Sequence, residues 1–123
     1  MRLRPLPLLA SMAAILGLSV AAAQEDAFRE EVEADWGRQE ERLGRTPQDP
    51  EAIRGALQRA EKLHADLSAM PGAPDLAETG RRLAELRENG DPVPGDEATR
   101  LARYREIRWL ARDMALANPL IAR

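Results

Sequence analysis

With 123 residues, 44% of them hydrophobic and only 3% aromatic, the chain has material for one small domain with a modest core. It contains no cysteine, which excludes disulfide staples, thiolate metal sites and covalent c-type haem attachment. The formal charge is −3, and discounting Arg2 and Arg4 leaves 16 basic against 21 acidic residues, about −5, a balance that argues against nucleic acid or an anionic membrane as partner.

The N-terminus reads as a targeting segment. Arg2 and Arg4 form a positive n-region, Leu6 to Val20 an apolar h-region, and Ala21-Ala22-Ala23 a small-residue cleavage site. The expectation is a signal peptide over 1–23 and a mature helical domain over 24–123, exported to the periplasm or the extracellular space, with no stable membrane span after cleavage. A retained anchor is the alternative reading of the same apolar run.

A first helix is predicted over 25–43, with Phe28, Val32, Trp36 and Leu43 on one stripe and Gly44 placed to end it. The other face is assigned Glu30, Glu31, Glu33, Asp35, Glu40 and Glu41, and the segment carries eight acidic to three basic residues. Arg45 to Asp49 reads as a turn. Asp49-Pro50-Glu51 then supplies an N-cap, a proline at the first helical position and an acidic first turn. The second helix, 50–70, has Ile53, Leu57, Ala60, Leu63, Leu67 and Met70 at helical spacing, the cleanest amphipathic pattern in the chain.

Pro71-Gly72-Ala73-Pro74 interrupts that helix, and Asp75 opens a third, 75–89, with Leu76, Leu83 and Leu86 as its stripe and Gly80 as an interior weak point. Asn89-Gly90 stops it, and Asp91 to Gly95 form a linker. Asp96 caps a last helix, 97–118, in which Leu101, Tyr104, Ile107, Ala111 and Met114 recur at steps of three or four while Trp109, Leu110 and Leu116 widen the apolar face. Asn118 precedes Pro119, which forces it out of the helical region. No segment alternates like a strand. The predicted architecture is all-α, a small antiparallel bundle of about four helices.

Candidate chemistry is thin. The single histidine, His64, lies three residues after Glu61, the spacing of one half of a di-iron carboxylate site, but the unit occurs once where two are needed. A helix-flank histidine is the plainer reading. The acidic run of the first helix lacks the alternating oxygen ligands and turn glycine of a calcium loop. No phosphate loop and no nucleophile paired with a base stands out. No catalytic residue, metal ligand or cofactor is therefore assigned. Charge separates along the chain, near −5 in the first helix and about +3 from Glu97 to Arg123. This suggests either packing of the first helix beside the last, with Trp36 and Trp109 in the contact, or two unrelated solvated faces.

Two stretches resemble a family. Ile107 to Ile121 (IRWLARDMALANPLI) and Ala34 to Glu40 (ADWGRQE) resemble the N-terminal region of exported planctomycete-type proteins similar to the hydrazine synthase alpha subunit. The resemblance implies a helical part preceding a catalytic or propeller portion, with the haem and zinc ligands of such proteins beyond it, so that none is carried onto this chain. In those proteins the Asn-Pro-Leu element leads into an Asp-Phe-Asp run, whereas here Ala122-Arg123 follow Ile121. The expected function is a non-catalytic exported module, a spacer or docking segment for a missing C-terminal domain. The alternative is a stand-alone periplasmic helical protein that binds a protein partner or itself. Either way the candidate partner-binding residues are Tyr104, Arg108, Trp109, Arg112, Leu116, Asn118, Pro119, Leu120 and Ile121.

Overall fold

The computed structural model describes residues 5–90 and 93–121, with side chains from Val20 onward. The architecture is all-α: α1 spans Pro5–Arg42, α2 Pro50–Ser68, α3 Ala77–Glu88 and α4 Glu97–Leu116, with no strand among the described residues. Arg2, Arg4 and the apolar side chains of 5–19 lie outside this description. So does the leader assigned to them. Helix α1 begins well before Glu25 and passes through Ala21-Ala22-Ala23 without a break, in keeping with alanine's helix propensity. Among the described residues no helix is long and apolar enough to cross a membrane.

The chain divides after Trp36 into two units, 1–36 and 37–123. In the first, the described side chains from Val20 to Glu31 are all exposed, Phe28 at 50%. The expected stripe of α1 is thus only partly interior. Val32 is half-buried and Trp36 buried, whereas Leu43, beyond the end of the helix, is exposed.

In the second unit α2 is the central element, packing against α4 most extensively and against α3. Of its predicted stripe Ile53, Leu57, Ala60 and Leu67 are buried, while Leu63 is only half-buried and so is Met70, which lies beyond the helix end at Ser68; Ala52 and Ala56 widen the buried face with side chains small enough to admit close neighbours. Leu83 and Leu86 of α3, and Tyr104, Ile107 and Met114 of α4, complete the core. Cross-helix pairs fix the directions. Glu61 meets Arg87 while His64 meets Leu76, and Arg82 meets Glu106 while Arg103 meets Asn89, so α3 runs antiparallel to both α2 and α4.

The ends are set by local chemistry. Asp96 caps α4 as expected, its Oδ1 accepting from the Thr99 N–H at 2.8 Å. Asp49 occupies the N-cap position of α2 but turns its carboxylate back to the Thr46 N–H at 2.9 Å, leaving Pro50 and Glu51 to favour the helix start. Helix α3 starts two residues later than predicted because the Asp75 side chain closes a local turn on the Ala77 N–H. The predicted end of α4 at 118 moves to Leu116, where Ala117 and Asn118 form the last tightened turn before Pro119.

The glycine in α3 has a specific task. A methyl group at Gly80 would stand 2.6 Å from Nε2 of His64, and that nitrogen lies 3.1 Å from the Leu76 carbonyl, which also accepts from the Gly80 N–H. Only a hydrogen at position 80 lets the α2 ring reach the first turn of α3.

Candidate functional site

Two places within the second unit stand out. The first is Glu40, a carboxylate with 2% of its surface exposed at the C-terminal end of α1. An unpaired charge there would be strongly unfavourable, so its partners explain its presence. The Arg45 Nε donates to Oε1 at 2.6 Å, and the Tyr104 hydroxyl donates to Oε2 at 2.7 Å. Arg108 donates through one nitrogen to the Tyr104 oxygen at 3.0 Å and through another to Gln39 Oε1 at 3.0 Å, with its guanidinium 5.7 Å from the tyrosine ring centre. The same guanidinium lies 3.9 Å from Oε2 of Glu40.

The backbone supplies this cluster. Gly44 adopts φ +78°, the Gly44 N–H donates to the Glu41 carbonyl and the Arg45 N–H donates to the Glu40 carbonyl, a Schellman closure of α1. That closure turns the chain so that Arg45 faces the carboxylate of Glu40. Burial pushes the Glu40 carboxyl up, but the donors Arg45 and Tyr104 outweigh it and hold the group below its usual range. Burial, followed by the adjacent Glu40 carboxylate, pushes the Tyr104 hydroxyl up to about 12. The cluster is a closed fastening, not an acid or base presented to a substrate.

Glu40 is therefore interior and not part of the acidic outer face that the pattern of the first helix predicts. One signal was available: Glu40 lies four residues after Trp36, on the buried side of α1.

The second place is the segment from Trp109 to Ile121, and here the predicted partner-binding residues separate. Tyr104 is 1% exposed and Arg108, half-buried, is engaged in the Glu40 cluster, so neither is presented as a free contact surface. Trp109 is half-buried with the Arg112 guanidinium 6.0 Å from its ring centre. Asn118 and Pro119 are half-buried and shape the turn: Asn118 Oδ1 accepts from the Leu120 N–H at 2.9 Å and its carbonyl accepts from the Ile121 N–H at 2.9 Å. Leu116, Leu120 and Ile121 are exposed at 56%, 65% and 61%.

Glu61 and His64, the candidate metal pair, have other engagements. Glu61 forms an ion pair with Arg87, and His64 meets the Leu76 carbonyl. Among the described residues no group of three or more potential ligands surrounds a common point. No family model, curated protein or solved structure matches the chain.

Proposed function

We propose that the chain is a non-catalytic exported helical module that docks a further protein domain, in cis, through the end of α4 and the turn that follows it. The observation that carries this reading is the exposure of Leu116, Leu120 and Ile121 on a segment whose backbone is fixed by Asn118 and Pro119. Isolated exposed aliphatic residues are ordinary, but three within six positions at one ordered end favour a protein contact. Preordering of the turn also lowers the entropy cost of forming that contact.

The resemblance of Ile107 to Ile121 to a helical stretch preceding a larger portion of exported proteins supports a partner in the same polypeptide. Export to the periplasm or extracellular space rests on Arg2, Arg4, the apolar run to Val20 and the alanines at 21–23. N-terminal sequencing of the exported protein is expected to begin near Gln24. A start at Met1 rejects cleavage.

The absence of native cysteine gives a direct test of docking. Leu120→Cys puts a single thiol into these 123 residues, which is labelled with a polarity-sensitive fluorophore in the chain alone and in the chain continued by its downstream genomic sequence with any cysteine of that continuation replaced by serine. A blue shift only in the continued chain supports docking in cis. A shift that grows with concentration of the chain alone supports self-association instead. Solvent-like emission under both conditions rejects the apolar end as an interface.

A further inference from the structure

The helices of the second unit leave a notch between α2, α3 and α4, with about 40 Å³ of space. Its floor is Ile53, Leu57, Leu86 and Ile107, and Val93 closes one side. The volume corresponds to about three waters, but aliphatic walls offer a water few partners, so the space suits about three methyl-sized groups better. An isopropyl group is of that size.

The mouth is basic. Arg103, half-buried on α4, lines the notch, and among the described residues its hydrogen bonding consists of one long contact from a terminal nitrogen to the Asn89 carbonyl at 3.3 Å. A guanidinium has five N–H donors in a fixed fork that matches a carboxylate. Arg54 and Arg87 also border the notch, Arg87 being paired with Glu61, and no described lining residue is acidic. The Arg103 guanidinium disfavours an amine, and a neutral alcohol forgoes the charge-assisted bond.

We propose that this notch binds a short branched-chain monocarboxylate, its alkyl end between α2, α3 and α4 and its carboxylate on Arg103. The site is separate from the apolar end of α4, so it stands or falls independently of the docking function. With so few atoms in contact, the dissociation constant is on the order of 1 mM.

The test is an amide-resonance titration of the full chain with isovalerate, and with 3-methylbutan-1-ol as the neutral isostere. Saturable shifts centred on Ile53, Leu86, Val93 and Arg103 are expected with isovalerate, and binding of the alcohol about tenfold weaker or worse. Arg103→Gln is expected to weaken isovalerate to the level of the alcohol. Val93→Leu, whose added methylene extends from the rim into a space of about three methyl groups, is expected to weaken both while the spectrum remains that of a folded protein. Equal affinity for acid and alcohol, an Arg103→Gln variant that binds as the parent does, or shifts elsewhere or absent up to tens of millimolar overturns the proposal.

Discussion

The Glu40 cluster and the end of α4 are opposites in composition and in environment. Both lie where a helix gives way to an ordered turn, closed by Gly44 in one case and by Asn118-Pro119 in the other. The first buries a carboxylate, and the second exposes three aliphatic side chains. A buried charge with every oxygen occupied is strongly unfavourable to disturb, whereas an exposed leucine contributes little to the fold that carries it. The contrast separates a part that holds the bundle together from a part available for contact.

The largest expected effect comes from Glu40→Ala. It leaves Arg45 and the Tyr104 hydroxyl without their shared acceptor and removes the negative charge 3.9 Å from Arg108, and the loss in unfolding free energy should be about 3–5 kcal/mol. Urea denaturation measures it, and a loss under about 1 kcal/mol would mean that water substitutes for the carboxylate, so that the cluster is no fastening.

Next in size is Tyr104→Phe, which removes one donor to Glu40 and one acceptor from Arg108, at a cost of about 1–3 kcal/mol. Its effect on pH dependence is sharper than its effect on stability. The folded tyrosine titrates near 12 against an ordinary value of 10.0, so the contribution is complete below pH 10 and is lost as pH rises through 12. Tyr104→Phe should abolish that alkaline loss. On the acid side the Glu40 carboxyl is held below its ordinary 4.5, so its contribution is complete above that value and is lost as pH falls through the lowered one. The phenylalanine variant should retain an acid limb, because the Arg45 bond to Glu40 persists.

Gly44→Ala tests the turn instead of the charge. A methyl group there meets nothing within 4 Å, so the expected loss of about 1–2 kcal/mol comes from the left-handed backbone alone. An unchanged melting curve would show that the closure is not what aims Arg45.

The smallest effect on folding belongs to the other region. Replacing Leu116, Leu120 and Ile121 together by serine should change stability by only about 0.5 kcal/mol at each site, within the usual range for surface positions, while abolishing any association made through this end. A large loss of stability, measured on the same chain, would place these side chains in the fold and erase the contrast.

The sequence was most informative where one residue determines its own surroundings. Asp96 as the cap of α4, Pro50 at the first position of α2 and the stripe from Ile53 to Leu67 follow from local geometry and apolar spacing, and so does the all-α architecture. Glu40 was hidden for the opposite reason. Its role depends on Tyr104 and Arg108, more than 60 positions away, and in composition it is one more acid in an acidic helix. Exposure of Phe28 and Leu43 is equally non-local, since helical spacing places residues on a common face without specifying whether anything covers it.

The contact of His64 with the Gly80 backbone has a consequence for how this protein can diverge. Each position bears on the other: alanine at 80 would push the imidazole tip away from the Leu76 carbonyl, while loss of the imidazole makes room for alanine and for the better helix it forms. Descendants should therefore exchange the two together, a bulkier residue at 80 accompanied by a smaller one at 64. Where a lineage has passed through the intermediate, its survivors should bear a compensating change in the first turn of α3.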